Sequence, residues 1–347
     1  GDTQRVIQAA DLIVLGGGGL FHDYWGVDLN SLLTNRHWGL SYYTGVALLA
    51  SIHGKPLVLH AVGVGPLISS HGARLVRAIC EVAQCITVRD AGSREALVQA
   101  GVDRRKVIVT ADPSFAFRVE RAGQLHQTGT PPLPLHKPLA GVAVRSWSVG
   151  VHPDFFEDEL AAALDLFLQQ SGGSVVFFPF QDLGGSGGQD DDRAVAQRIQ
   201  ARMRLATRTA LFQKNSTADD IYAAMRQCDV VVGMRLQSLT FAITNQVPLV
   251  VLSYDPKTEQ LAGEFGLDEW MLHVSAIQSV TLARKIEAAL ERRAEFDKPL
   301  EPIRELKAQA AAESSRLTLE VLHHPKPPAE AGPETAALLT SGVLAQI

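Results

Sequence analysis

The sequence predicts an α/β protein of two doubly wound domains, each a parallel sheet covered by helices, with the carboxyl ends of their strands facing a cleft. Short apolar runs alternate with helical patterns, a rhythm found mainly in parallel, helix-covered sheets. The rhythm breaks once, where residues 127–138 read QTGTPPLPLHKP, and then restarts. At roughly 150 residues per domain, a chain of 347 residues makes about two.

The first domain, residues 1–120, runs almost directly into an apolar strand at 11–15 (DLIVL), which four glycines end at 16–19. Residues 41–53 (SYYTGVALLASIH) read as a helix stopped by Gly54, and Lys55-Pro56 leads into a strand at 57–61 (LVLHA). The segment 63–67 (GVGPL) turns the chain. A helix is expected at 72–84, a strand at 85–88 (CITV), a helix at 90–100 closed by Gly101, and a strand at 107–110. Residues 121–138 form the expected linker.

The second domain, residues 139–322, repeats the pattern. Strands are expected at 139–144, 174–178 (SVVFF), 229–232 (DVVV) and 248–252 (PLVVL). Helices are expected at 153–170, 190–202, 218–227, 238–245, 255–265 and 280–296, followed by a long polar one at 301–322. The Pro/Ala-rich tail 323–347 is expected to be flexible.

Composition narrows the function classes. The net charge of −5 lacks the basic excess of a duplex nucleic-acid binder. No apolar run reaches the roughly 18 residues of a membrane span. Cys80, Cys85 and Cys228 make no disulfide framework, and no second Cys or His pair supports a zinc site, so no metal is expected. The opening residues lack a basic region followed by an apolar segment, which points to a cytoplasmic protein.

Loops that follow strands carry the candidate chemistry, because helix N-termini and loop amides converge there. The GGGGLFHD loop, with Gly17 and Gly18, offers either an anion nest or a tight turn where two backbones pack. Gly63 and Gly65 shape the next loop. Asp90 fits a helix N-cap, which leaves Arg89 at the end of its strand to bind a carboxylate or phosphate, or to pair with a neighbouring acid. Arg145 has the same placement in the second domain. Gly233 ends a strand ahead of Arg235 and Gln237, and Lys257 follows PLVVL by about one helical turn. Together Arg89, Arg235 and Lys257 predict a cationic pocket for a small polyanion. The acidic run with Asp182, Asp190, Asp191 and Asp192 reads as helix capping and solvation rather than a metal site.

At these residues the sequence resembles the polysaccharide pyruvyl transferase family. The matching stretches are ADLIVLGGGGLFHD, GKPLVLHAVGVGPL, TVRDAGSREAL, ADPSFAF, VAVRSW, FFPFQD with its downstream DDD, CDVVVGMRLQSLTFAI and PLVVLSYDPKTEQLAGEFGL, in family order over about residues 8–270. The resemblance implies a GT-B-like pair of Rossmann-like domains. It further implies transfer of the enolpyruvyl group of phosphoenolpyruvate to a sugar, forming a pyruvate ketal. Acceptors would be cell-wall or exopolysaccharide precursors, often lipid-linked, at the cytoplasmic side of the membrane.

By that resemblance Arg89 and Lys257 would bind phosphoenolpyruvate, with Arg235 and Arg145 nearby. Asp23 and Asp112 become candidates for binding or activating the acceptor. No metal or organic cofactor is implied, and phosphoenolpyruvate is a co-substrate. The family usually has histidine where this chain has Gln237, a side chain that donates a hydrogen bond but cannot transfer a proton near neutral pH. Family members also carry a strand and Gly-rich loop ahead of the ADLIVL stretch, so part of the first domain is expected to be missing. Two alternatives stay open: a GT-B glycosyltransferase using a nucleotide-sugar, and a non-catalytic sugar- or anion-binding descendant.

Overall fold

The computed structural model describes residues 2–24, 26–34, 39–117, 136–182, 191–297, 300–327 and 332–340. Most of the expected linker, and Asp190, lie outside them. The chain divides into two compact units, Gly1–Ala116 with Leu306–Ile347 in one and Phe117–Glu305 in the other.

The first unit contains α1 (Asp2–Ala9), β1 (Ile13–Gly16), α2 (Gly39–Ile52), β2 (Leu57–Val62), α3 (Ser70–Val82), β3 (Cys85–Val88), α4 (Ala91–Gln99) and β4 (Val107–Val109). Its sheet is parallel, in the order β1-β2-β3-β4. Leu57, Val58 and Leu59 are fully buried, as an apolar run in a sheet covered on both faces requires. Side-chain caps start the helices: Ser69 accepts from the Gly72 amide at α3, and Asp90 from the Ser93 amide at α4. The β2–β3 register shifts between Leu59 and Val62. Ala61 sits there with φ 47°, a left-handed conformation that a non-glycine residue adopts at a cost. Its amide donates to Thr87 Oγ1 at 2.7 Å.

The second unit contains β5 (Leu139–Ala143), α5 (Pro153–Ser171), β6 (Ser174–Phe177), α6 (Asp192–Arg202), β7 (Thr209–Leu211), α7 (Ala218–Met225), β8 (Val230–Gly233), α8 (Leu236–Thr244), β9 (Leu249–Ser253), α9 (Pro256–Glu264), β10 (Met271–His273) and α10 (Ser279–Glu291). The parallel sheet runs β10-β9-β8-β5-β6-β7. Counted from β5 this is the doubly wound order 3-2-1-4-5-6, and the winding reverses between β5 and β8. Ligands of open α/β sheets bind at the carboxyl ends of strands beside that reversal.

The long helix α11 (Glu301–His323) leaves the second unit, where Arg304 donates to the Ile243 carbonyl, and continues in the first. There Ser314 Oγ donates to Thr110 Oγ1 at 2.6 Å, and Thr318 Oγ1 lies 2.8 Å from His60 Nδ1. The expected range 139–322 therefore gives way to a boundary inside this helix. The tail expected to be flexible contains α12 (Pro333–Thr340), packed on α3 with Thr335 and Leu338 buried. Glu81 caps it, accepting from the amides of Glu334 and Thr335 and from Thr335 Oγ1.

α1, β7, β10 and α12 escape the sequence reading. The two strands are three residues long and only partly buried, so no apolar run marks them. α1 is polar and buries Ile7 alone.

Candidate functional site

In the second unit the chemistry gathers where the winding reverses. Arg145 follows β5, Gln181 follows β6, Arg235 follows β8, and Tyr254 and Lys257 follow β9. Gly233 is required at the end of β8, because a Cβ there would lie 2.6 Å from Leu239 Cδ2 and 2.7 Å from Ser238 Oγ. Its absence lets α8 pack close over the strand. Asp255 caps α9, accepting from the Lys257 and Thr258 amides, and so places Lys257 on the helix's first turn. The Lys257 side chain is half-buried.

Arg235 is held rather than loose. It meets the buried Asp192 through Nε at 3.0 and 3.2 Å and through Nη2 at 2.5 Å, and Nη2 also donates to Gln181 Oε1 at 3.0 Å. The amides of Phe180 and Gln181 donate to Asp192 as well. Such a bidentate pair fixes the guanidinium plane and offsets its charge. Asp191 caps α6, as a capping reading of the acidic run expects. Asp192 departs from that reading, since it is a buried partner of Arg235 and not a solvated side chain.

Arg145 lies over two rings, with Cζ 5.6 Å from the Trp147 centroid and 5.3 Å from that of Tyr254. The rings meet edge to face at 4.6 Å, and Trp147 Nε1 donates to the Val149 carbonyl. Arg145 Nη1 donates to Tyr254 Oη at 3.4 Å. Burial, aided by Asp255, pushes the Tyr254 phenol above its ordinary value, against Arg145 and Arg235. Gln237 is half-buried on the first turn of α8, and its side-chain amide makes no hydrogen bond with a described residue.

Arg89, Asp112 and Asp23 belong to the first unit. Arg89 is 5% exposed, donates from Nη1 to Asp112 Oδ2 at 3.2 Å, and has Nε 3.4 Å from Asp90. Asp112 also accepts from the amide and hydroxyl of Ser114. Of the two readings open for Arg89, the ion pair with neighbouring acids is realised.

The glycine loops pack against one another. Gly17 N–H donates to the His60 carbonyl, Gly63 N–H to Gly18 and Gly65 N–H to Phe21, so these three amides are engaged by backbone. Gly18 thus serves as an acceptor in that pairing. Asp23 is 4% exposed and accepts from the Ile68 amide at 2.6 Å, the Ser69 amide at 2.8 Å and Ser69 Oγ at 2.6 Å. Its carboxylate organises the loop that enters α3.

Asp192, Trp147 and Tyr254 join the site without having been singled out as site residues. Tyr254 and Trp147 lie inside the motifs SYDPK and VAVRSW, so their position after strands is a usable signal. Asp192 stands 43 residues from Arg235, and only the sheet order brings them together. Among the described residues no cluster of three His, Cys, Asp or Glu is arranged to hold a metal, and no helix is long and apolar enough to cross a membrane.

The family model described as polysaccharide pyruvyl transferase matches residues 2–256. The amylovoran biosynthesis protein AmsJ of Erwinia amylovora is 20% identical over 295 residues, spanning 83% of this chain and 67% of AmsJ. Among solved structures, UDP-GlcNAc 2-epimerase from Neisseria meningitidis bound to UDP-GlcNAc aligns with TM-score 0.59 and 13% identity, over 93% of this chain and 79% of that one. Anabaena Alr3699/HepE in complex with UDP aligns with TM-score 0.54 and 16% identity, over 92% and 81%. These structural likenesses are of fold, and they agree with the GT-B-like pair of parallel-sheet domains.

Proposed function

The chain belongs to the polysaccharide pyruvyl transferase family, and from that premise we propose that it transfers the enolpyruvyl group of phosphoenolpyruvate to a sugar of a cell-surface polysaccharide precursor. The naming of AmsJ for amylovoran biosynthesis supports a role in polysaccharide modification. The observation that carries the donor assignment is the placement of Arg145 and Arg235 just after the adjacent strands β5 and β8, with Lys257 after the next strand, β9. Phosphoenolpyruvate carries a carboxylate and a phosphate, and cations ordered by rigid neighbours bind such groups with little reorganisation.

In this reading the enol carbon takes a proton and the neighbouring carbon becomes oxocarbenium-like. Two sugar hydroxyls then add in turn, and phosphate departs. Arg145, Arg235 and Lys257 bind the anion and stabilise the leaving phosphate. Gln237 donates a hydrogen bond to phosphate or carboxylate. Within the first unit Asp112 orients the Arg89 guanidinium, which gives that unit a fixed cation for an anionic group of a ligand. Asp23, its oxygens occupied by the 68–69 loop, shapes the acceptor side instead of activating a hydroxyl. The reading needs no cofactor beyond the co-substrate, and the acceptor is a free or lipid-linked sugar met at the inner face of the membrane.

The test is incubation with phosphoenolpyruvate and a panel of cell-wall and exopolysaccharide sugars, following phosphate release and the ketal methyl signal by NMR. Turnover of a nucleotide-sugar with no phosphate release from phosphoenolpyruvate would favour the glycosyltransferase reading. Binding of sugars with no turnover of either donor would favour the non-catalytic one.

A further inference from the structure

We propose that Tyr254 is the general acid that delivers the proton to the methylene carbon of the enolpyruvyl group, an assignment that rests on the phosphoenolpyruvate reading above. The reaction needs a proton donor, and Gln237, at the position of the family histidine, has none to give near neutral pH. Tyr254 stands at the carboxyl end of β9, the strand next to β8, from which Gln237 and Arg235 follow.

The hydrogen bonds around Tyr254 set the direction of its proton. Arginine is only a donor, so in the 3.4 Å contact with Arg145 the phenol oxygen accepts. The phenol hydrogen must therefore point elsewhere, and no described residue accepts it. An oriented hydroxyl donor within reach of the charges of Arg145 and Arg235 suits an anionic, proton-accepting ligand. Trp147 holds the ring edge to face, which limits its rotation.

Arg145 also answers the difficulty of using a phenol as an acid. As the proton leaves, the contact to Arg145 becomes charge-assisted and the cation sits over a ring of rising electron density. Asp255 opposes that phenolate, while Arg145 and Arg235 favour it. Burial and Asp255 keep the phenol protonated at neutral pH, the form in which an acid is competent.

The step balances. Tyr254 gives H⁺ to the methylene carbon, which becomes the methyl group, and the first sugar oxygen bonds to the adjacent carbon. The second sugar oxygen displaces phosphate with breakage of the carbon–oxygen bond. One hydroxyl proton returns to Tyr254 and the other leaves with phosphate, so no oxidant or reductant is involved.

The test compares the chain with Tyr254→Phe, which keeps the ring and loses only the hydroxyl. We expect calorimetric affinity for phosphoenolpyruvate to stay within about threefold, because the cations remain, while kcat falls about 100-fold or more, the usual range for losing a general acid. A chain with 3-fluorotyrosine at 254, whose phenol is more acidic, is expected to lose activity at lower pH, because the acid must be protonated to act. That shift is one a merely structural tyrosine would not cause. If Tyr254→Phe keeps kcat within threefold, or if the fluorinated chain keeps its alkaline limb unmoved, Tyr254 is not the acid even though the phosphoenolpyruvate reading stands. If the unsubstituted chain neither binds nor turns over phosphoenolpyruvate, that reading falls and the assignment falls with it.

Discussion

Gly63 lies beneath the Arg89 guanidinium, where an added Cβ would come 2.8 Å from Cζ and Nε and 2.9 Å from Nη2. Arg89 has little room to retreat, being buried between Asp112 and Asp90. Gly63→Ala should therefore cost about 1–3 kcal/mol as an overpacking change. Urea unfolding reads that loss. Gln237 makes the complementary case, since its amide has no hydrogen-bond partner to lose among the described residues. Gln237→Ala is expected to leave stability within about 0.5 kcal/mol. It should raise the dissociation constant for phosphoenolpyruvate roughly 2- to 13-fold, the worth of one hydrogen bond of about 0.5–1.5 kcal/mol. A larger loss of stability would mean that Gln237 supports the fold instead.

At the scale of elements, β2 is tied to α11 through His60 Nδ1 and Thr318 Oγ1, and burial lowers the His60 pKa below its ordinary value near 6.5. The folded state thus resists a proton that the unfolded state accepts. The stability linked to burying a neutral His60 is complete above about pH 6.5 and is lost as the pH falls below it. Urea midpoints between pH 7.5 and 5.5 should decline, and His60→Gln should remove part of that slope. The capping of α12 is independent of this contact. Glu81→Ala removes the acceptor of two amides and a hydroxyl, and should cost about 0.5–2 kcal/mol, seen as faster hydrogen exchange over Pro333–Thr340. The same contrast explains what the sequence discloses. Strands buried on both faces, such as β8 and β9, announce themselves as apolar runs, and Asp90 and Asp255 announce helix starts. Glu81 offers no such sign, because the amides it caps lie more than 250 residues away. The place of Arg235 after a strand is readable in the sequence, whereas its neutralising partner Asp192 requires the sheet order to be known.

For the whole molecule, the division into units does not follow chain order. The first unit takes its sheet from the first third of the chain and α12, with most of α11, from the last. Thr87 and Thr110, both buried, lie against Ser314 of α11, and Leu338 of α12 joins the apolar cluster that contains Leu57, Leu59 and Val76. A chain ending at Glu305 would uncover these hydroxyls and part of that cluster together. Hydroxyls and apolar surface exposed at once cost far more than a single contact, and a domain of ordinary stability has only about 5–15 kcal/mol to lose. We expect that shortened chain to lose hydrogen-exchange protection across β2 and β3 while β5, β8 and β9 keep theirs. The second unit holds those strands entirely within Phe117–Glu305. Protection of Leu57–Val62 at full-length levels in the shortened chain would refute the idea that the last helices complete the first unit. Loss of protection in β8 and β9 as well would instead mean that the second unit draws its stability from residues beyond Glu305.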